Sequence, residues 1–550
     1  MQSTSALPGR VARAAPRFTL PAITEGAAIF WLALTAYLAV AVLLVFGANI
    51  IQADALSRVG NAEYVLFSRD PHLAAIGFVW SPLPSLLMLP LLPFKLLFPQ
   101  LVQLGFAANI VSAVSMGGAV YLTWRILNDL AIARPWRLIL TLLFAIHPMI
   151  VFYAANGMSE ALFLFFLILS VRFLMAWLRT SRLEWQVYAG LALGGAYLCR
   201  YEALPAGLGA LAVVAIVSWM RGQANRERRL VTALCDAAIV GGPFALAVAV
   251  WAVASYIIVG HPFEQFASIY GNDSQMRTLS LGHSGADVLG ALVQLLALQP
   301  LLVAAIAFGG LHAARRRDLR VLAIIAVLVP VLLFAGWARS NGTIAPWLRY
   351  FIAVIPLAVL MAGFAVGEAD LGETIGRLGR RGRLTTSLKV AAVMSVAVAV
   401  AAGAAAMTDP SIAPEEGHEL SYLTTGGQVS AARRFVSERA IAAYLDGLHL
   451  PRGSVLVDSF LGYAIVLSST RPEQFVITSD RDFKQAIADP GGTGVQYILV
   501  PRERGLASLD AINRAYPAMY ESGAGIGRLV QEFPNVGDGT DWRLYRGSAG

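Results

Sequence analysis

About eleven long apolar runs dominate this sequence and leave few folds open to it. A transmembrane helix needs roughly 17–25 predominantly apolar residues, and most of the runs are close to that length. The mean hydropathy of +0.64 is too high for a soluble enzyme, and 550 residues are far more than a simple anchor needs. We therefore predict a polytopic α-helical membrane protein whose spans are residues 27–50, 101–124, 136–155, 159–178, 185–199, 204–220, 231–259, 286–313, 319–337, 348–366 and 390–407.

The net charge of +8 comes mainly from arginines that form short clusters between the apolar runs. This distribution is typical of membrane orientation signals and argues against nucleic-acid binding. The two cysteines, Cys199 and Cys235, both lie within apolar runs. The sequence therefore offers neither a disulfide framework nor a cysteine-based metal site.

The N-terminal segment carries Arg10, Arg13 and Arg17 ahead of the first apolar run. That run is longer than the roughly 7–15 apolar residues of a cleaved secretory signal, which predicts an uncleaved signal anchor. Basic residues before the first span favour a cytoplasmic N-terminus in the plasma (inner) membrane.

The segment 80–98 is apolar but interrupted by prolines and one lysine, Pro82, Pro84, Pro90, Pro93 and Lys95. If it does not cross the membrane, the later arginine clusters, including the one at 377–383, all fall on the side of the N-terminus. The positive-inside rule therefore predicts a juxtamembrane or re-entrant helix here, within an outward-facing loop 51–100.

Residues 408–550 are polar and contain no further apolar run of spanning length. An odd number of spans in the transmembrane domain 1–407 places this region outside the membrane. Pro410, Pro414 and Gly417 are typical of a linker. Strand-like patterns alternate with helical ones, which predicts a small extracytoplasmic α/β domain with strands at 454–457, 474–478, 495–500, 528–533 and 541–545 and helices at 428–448, 482–488 and 509–516.

The loop after the first run holds an unusual concentration of charge, at Asp54, Arg58, Glu63, Arg69, Asp70 and His72. Charges beside a bilayer are costly unless they are hydrated, paired or functional, so the cluster is a functional-site hypothesis, with a solvated loop as the alternative. The predicted topology puts the other polar groups on the same outer side, at 156–160, 200–202, 261–277, 339–343 and 349–350. We therefore expect a site at the outer membrane surface.

The position of the charges distinguishes an enzyme from a transporter. Transporters place polar groups near the bilayer midplane on broken helices, whereas the centres of these runs are mostly Ala, Val, Leu and Gly. An acid close to the end of a span, such as Asp54, suits general base catalysis, and arginines suit a departing phosphate. Arg58 follows Asp54 by four residues and shares its helical face, although a structural ion pair is the alternative for that residue.

The motif QADALSR, followed by WSPLPSLLMLPLLPFKLLF, resembles the GT-C class of membrane glycosyltransferases. The pattern is closest to protein O-mannosyltransferases and lipid A aminoarabinose transferases. The resemblance implies that Asp54 occupies the position of the catalytic acid. That class often has an acid and a lysine ahead of the paired prolines, whereas this chain has Trp80 and Ser81. Asp70 and His72, in RDPH, are the candidates to replace them.

Three later segments extend the resemblance: HPMIVFYAANGMSEALFLFF, YLCRYEALPAGLGAL and APWLRYFIAVIPLAVLMA. They imply an outer acid at Glu160, a phosphate ligand at Arg200 beside Tyr201, and a lipid-phosphate pocket near Arg349 and Tyr350. Each arginine has an alternative role as an interfacial residue whose stem lies along apolar surface, and each tyrosine as part of an aromatic belt.

The sequence therefore predicts transfer of a hexosyl or pentosyl group from a polyprenyl-phosphate donor to a glycan, lipid or protein acceptor at the outer face. Asp54 would act as the base with inversion, and Arg200 and Arg349 would hold the phosphate with help from Arg58 or Arg339. No Gly-rich phosphate loop or DxD-type pair points to a nucleotide-sugar donor. The prediction includes no cofactor, and the alternative is a divalent cation, Mg²⁺ or Mn²⁺, bound beside Asp54 and Asp70. The alternatives are a ligase of whole lipid-linked glycans and a lipid or polysaccharide transporter.

Overall fold

The computed structural model of the chain describes residues 24–222, 225–279, 287–367, 381–425, 433–537 and 539–547, with the backbone alone for 381–386 and 422–425. Arg10, Arg13 and Arg17, and the side chains of the cluster at 377–383, lie outside the described part. The direction in which the chain crosses the membrane therefore stays a prediction.

Within the described residues, each predicted apolar run is mostly helical, as expected for an integral membrane protein. Eight helices are long and apolar enough to span: Glu25–Gly47, Phe106–Asp129, Glu160–Thr180, Ala203–Arg221, Arg226–Val259, Val321–Ser340, Leu348–Val366 and Ser387–Met407. Two further pairs bend by 58° and 65° at short breaks: Arg134–Ala145 with Pro148–Ala155, and Val288–Leu298 with Leu302–Arg315. The described residues thus hold eight spans, or ten if each bent pair is one, where the sequence predicted about eleven.

The difference in span number comes from the helix Leu183–Cys199. It has 17 residues and carries the polar side chains of Glu184 and Gln186 in its first turn. The helix nevertheless packs between Glu160–Thr180 and Arg226–Val259 inside the bundle. Its contact with the second of these is close, because a Cβ added at Gly190 would lie 2.2 Å from a backbone oxygen of that helix. Small residues permit such close approach between membrane helices.

The proline-rich segment 80–98 forms short helices at Leu83–Met88 and Leu92–Leu96, followed by Gln100–Gln103. Proline removes a backbone donor and clashes with the preceding turn, which explains why no long helix forms here. Each of these helices is too short to span a membrane, in agreement with the prediction that the segment does not cross.

The helix Leu348–Val366 lies at the centre of the bundle and is buried along its whole length. It packs against Leu302–Arg315, Val321–Ser340 and Arg381–Met407. Because its first turn carries Arg349, this central position brings a guanidinium to the protein interior at one end of the bundle. The opposite end is closed by a separate ion cluster in which Glu25 accepts from Arg134 at 2.6 Å and from Arg137 at 2.9 Å.

The C-terminal region contains a five-stranded sheet, with β1 at Val455–Leu456, β2 at Phe475–Val476, β3 at Tyr497–Pro501, β4 at Gly527–Phe533 and β5 at Trp542–Gly547. The strand order is β2-β1-β3-β5-β4. β1 pairs in parallel with β2 and β3, and β5 pairs antiparallel with β3 and β4. All five predicted strands are therefore present.

The helices around the sheet are Val436–Gly447, Ser459–Ser468, Phe483–Ala488, Ala511–Ala515 and Met519–Ser522. The apolar helix Ser459–Ser468, absent from the prediction, provides the crossover that two parallel strands need. The predicted linker around Pro414 and Gly417 is instead a helix, Pro414–Thr425.

Ion pairs connect the sheet region to the residues that follow the helix Ala53–Phe67. Arg69 donates to Asp480 at 3.0 Å and also contacts Asp482. Asp70 accepts from the backbone and the guanidinium of Arg481, at 3.1 and 2.9 Å. Asp70 therefore contributes to the contact between the two parts of the chain.

Candidate active site

Asp54 lies in the first turn of the helix Ala53–Phe67, where the helix dipole favours a negative charge. Its side chain is 37% exposed. Arg58, one turn later, donates to the backbone oxygen of Asp54 at 3.3 Å and lies 5.7 Å from the Trp80 ring. The two charged side chains share a helical face, as their spacing predicted.

Arg349 contacts three carboxylates that come from distant parts of the chain. Its Nη2 donates to Asp54 Oδ2 at 3.3 Å, and its Nη1 donates to Glu415 Oε1 at 2.8 Å. Its Nε lies 3.5 Å from Glu160 Oε1, and Trp347 covers the guanidinium at 4.2 Å. With only 3% of its side chain exposed, Arg349 is the centre of a buried ion network.

Arg200 lies next to this network because it shares Glu160 with Arg349. Its Nη1 donates to Glu160 Oε1 at 2.6 Å, and its Nη2 donates to Glu202 Oε1 at 2.6 Å. The guanidinium also lies 5.7 Å from the ring centre of Tyr350. Burial alone would lower the pKa of Arg200, but the two carboxylates outweigh it and raise that pKa.

These residues open onto a pocket of about 580 Å³, its opening to solvent included. One group of lining residues, which we call the charged cluster, consists of Asp54, Arg58, Arg200, Glu202 and Arg349. A second group, the amide cluster, consists of Gln265, Asn272 and Gln275. The remaining lining residues are aromatic or small, namely Trp80, Ser81, Cys199, Tyr201, Trp347 and Tyr350. The pocket thus combines ionic groups with uncharged hydrogen-bonding groups.

The electrostatics keep Asp54 ionised. Burial alone would raise the pKa of its carboxyl, but Arg349, Arg58 and Arg200 outweigh burial and hold that pKa below its usual value. A partly exposed carboxylate that stays charged beside arginines can accept a hydrogen bond or a proton.

Two acids missed by the sequence reasoning enter the site from the helix Pro414–Thr425. Glu415 contacts Arg349, and Glu416 Oε1 accepts from Tyr153 OH at 2.6 Å. Burial, together with repulsion from the neighbouring carboxylates, raises the pKa of Glu415 to about 8 despite the contact with Arg349. The sequence did contain a signal for Glu415 and Glu416, because they are consecutive acids shortly after the last apolar run, on the side of the membrane predicted for Asp54.

Not all of the predicted site residues lie at this pocket. Asp54, Arg58, Arg200, Tyr201, Arg349 and Tyr350 line it, and Glu160 lies behind it, 1% exposed. Asp70 contacts Arg481, and His72 Nδ1 contacts the backbone oxygen of Asp70 at 2.6 Å. Arg339 pairs with Asp287. The side chains of Asp70, His72 and Arg339 therefore contact parts of the protein outside the pocket.

Within the described residues, no group of three or more His, Cys, Asp or Glu side chains is arranged to hold a metal ion. Asp54 and Asp70 do not share a pocket, because the carboxylate of Asp70 is directed to Arg481.

No protein-family model and no curated protein sequence matches the chain. Among solved structures, ArnT from Cupriavidus metallidurans, bound to undecaprenyl phosphate, matches with a TM-score of 0.55 and 13% identity over 95% of this chain and 98% of that chain. The oligosaccharyltransferase AglB from Archaeoglobus fulgidus matches with a TM-score of 0.42 and 11% identity over 87% of this chain and 69% of that chain. The arabinofuranosyltransferase AftD from Mycobacteria gives a TM-score of 0.42 and 16% identity over 94% of this chain and 41% of that chain. The likeness to ArnT confirms the predicted GT-C fold.

Proposed function

We propose that this protein is a membrane glycosyltransferase that transfers a sugar from a polyprenyl-phosphate donor to an acceptor hydroxyl at the outer face of the membrane. The observation that carries the proposal is the contact between Asp54 and Arg349, 3.3 Å apart, with Arg200 in the same pocket. A charged carboxylate beside two buried guanidinium groups suits phosphate departure coupled to base catalysis. The shared fold with ArnT, whose structure holds undecaprenyl phosphate, adds support.

The arginines would bind the donor phosphate. A guanidinium presents a planar fork that matches two phosphate oxygens, and Arg200 and Arg349 are close enough to share one carboxylate, that of Glu160. As the bond between the anomeric carbon and the phosphate oxygen breaks, negative charge grows on the phosphate. Fixed guanidinium groups stabilise this charge without having to reorganise. Arg58 supplies a third positive charge at the pocket.

Asp54 would act as the general base. Its carboxylate accepts the proton of the acceptor hydroxyl while the hydroxyl oxygen forms a bond to the anomeric carbon, and the phosphate leaves from the opposite side. The lowered pKa of Asp54 keeps the carboxylate in the charged form, which is the form that can accept this proton. Attack opposite the leaving group inverts the configuration of the sugar. A positioned base of this kind contributes roughly 10²–10⁴-fold to the rate.

The test compares Asp54→Asn with the unchanged protein in proteoliposomes. Labelled polyprenyl-phosphate sugars are supplied with an envelope extract as acceptor, and both transfer and donor binding are measured. We expect transfer to fall by about 10²-fold or more while donor binding stays within a few-fold. Asp273→Asn is the matched control, because Asp273 is an exposed acid near the pocket that does not line it. Unchanged transfer by Asp54→Asn would refute the proposal, as would movement of labelled lipid across the membrane without any transfer.

A further inference from the structure

The amide cluster is the part of the pocket that the proposed chemistry leaves unexplained. Gln265, Asn272 and Gln275 come from one outer segment, which contains the short helices Glu264–Ala267 and Asn272–Thr278. Each side-chain amide has an NH2 group that donates and an oxygen that accepts, so it can hydrogen-bond a hydroxyl group in either direction. The Gln265 Oε1 atom is buried without a partner in the described structure. A neutral, hydroxyl-bearing ligand matches these groups.

Contacts with the rest of the chain hold the amide cluster in place. Tyr270 OH donates to Asp458 Oδ2 at 2.8 Å, and the Tyr270 ring packs 4.9 Å from that of Phe460. Gln275 Nε2 donates to the backbone oxygen of Tyr270 at 2.7 Å. Because Asp458 and Phe460 belong to the sheet region, that region fixes the position of the amides. A rigid support of this kind lowers the entropic cost of binding a ligand.

The amide cluster adjoins the charged cluster through Tyr201. Asn272 Nδ2 donates to Tyr201 OH at 3.4 Å, and Tyr201 follows Arg200 in the chain. A group bound by the amides is therefore close to a phosphate bound by Arg200. In a polyprenyl-phosphate donor, the group next to the phosphate is the sugar.

The charges around the pocket disfavour an ionic sugar. In the amide-bearing segment, Asp273 and Arg277 pair with each other and are 61% and 71% exposed, and neither they nor Glu264 line the pocket. In the charged cluster, Glu202 is paired with Arg200 and Asp54 with Arg349. No lining carboxylate is left to neutralise a sugar ammonium, and the arginines would repel it. A sugar carboxylate would compete with the donor phosphate for the same arginines.

We propose that the transferred sugar is neutral and polyhydroxylated, and that Gln265, Asn272 and Gln275 bind its hydroxyl groups. Trp80 and Trp347, which line the same pocket, provide apolar faces for its C–H groups. This inference rests on the proposed function, because it assigns the sugar of the donor that the arginines bind.

The test uses three donors with the same polyprenyl phosphate, carrying a neutral hexose, its amino-substituted analogue and its uronic acid. Binding without acceptor and transfer with acceptor are measured for each. We expect the neutral donor to be preferred by about tenfold or more in both measurements. Asn272→Asp introduces a carboxylate, so the preference should move toward the amino sugar by about tenfold. Asp273→Asn, one residue away and outside the pocket, should leave it unchanged.

Gln275→Glu repeats the test at a second member of the amide cluster and keeps the inference testable if Asn272→Asp does not fold. Equal use of the neutral and charged sugars by the unchanged protein would overturn the inference and leave the proposed function intact. The same holds if folded Asn272→Asp and Gln275→Glu keep the original preference. If no polyprenyl-phosphate donor binds or is transferred, the proposed function itself fails.

Discussion

Replacing Glu415 by glutamine should change how donor binding depends on pH. Glu415 contacts Nη1 of Arg349, one of the donors that would bind the phosphate. Its pKa is raised to about 8, so the carboxyl is largely neutral at pH 7 and becomes charged as the pH rises. A charged Glu415 competes with phosphate for Arg349, whereas a neutral one competes weakly. Donor affinity should therefore fall as the pH rises through about 8.

The expected change in donor affinity follows from the contact between Glu415 and Arg349, which the donor phosphate would replace. A hydrogen bond to a charged partner contributes about 1.5–3 kcal/mol, against about 0.5–1.5 kcal/mol for a neutral one. The midpoints of these two ranges differ by about 1.25 kcal/mol, close to the 1.4 kcal/mol that changes an affinity tenfold. We therefore expect the unchanged protein to bind a donor about tenfold more weakly at pH 9 than at pH 7. Glu415→Gln cannot ionise, and its affinity should stay nearly constant over this range.

The assay measures binding of a polyprenyl phosphodiester, because its phosphate does not titrate between pH 6 and 10 as a monoester's would near pH 6. Glu416→Gln is the informative control. Glu416 repels the charge on Glu415 but accepts from Tyr153 and not from Arg349, so its removal should shift the pH transition downward without abolishing it. An unchanged transition in Glu415→Gln would refute the assignment of this pH dependence to the contact with Arg349.

Three further substitutions test other contacts. Arg349→Lys keeps the charge but loses the planar fork, and should weaken donor binding by about tenfold or more in the same assay. Tyr270→Phe removes the hydroxyl that donates to buried Asp458, and should raise the KM for donor about fivefold with little change in kcat. Arg69→Ala removes a partner of buried Asp480, and should lower the free energy of unfolding by about 2 kcal/mol, measured as a lower Tm in detergent without loss of donor binding.

The membrane fold was predictable because its causes are local. Run length and hydropathy locate the helices, and strand-like patterns locate all five strands after residue 450. The placement of these loops on one side of the bundle was also predictable from charge, since Asp54, Glu160, Arg200 and Arg349 come from different loops and yet meet in one network. Such a meeting requires the loops to share one side of the bundle, which is the arrangement obtained when the segment 80–98 does not cross.

The members of the site that were missed depend on tertiary contacts. Glu415 and Glu416 follow Pro414, and a proline near the end of an apolar region is typical of both a linker and a helix N-terminus. The segment becomes helical here, and its first turn faces Arg349. In the same way, the sequence offers Asp70 as a second acid in the loop that holds Asp54, and the pattern does not show what its side chain contacts. In the structure, Asp70 pairs with Arg481 of the sheet region, so its side chain links that region to the helical bundle.

The number of carboxylates around Arg349 explains why the site needs the segment after the last span. A guanidinium buried to this extent is costly without counter-charges, which Asp54 and Glu160 supply, while Glu415 at pH 7 adds mainly a hydrogen bond. Phosphate binding would add negative charge beside Arg349, which costs less while Glu415 is neutral than when it is charged. Asp54 has a lowered pKa and holds its charge, whereas Glu415 has a raised pKa and can take up a proton near neutral pH. Of the three acids on Arg349, Asp54 and Glu415 thus differ in their electrostatics: under the proposed function the first would remain the base and the second would make room for the phosphate.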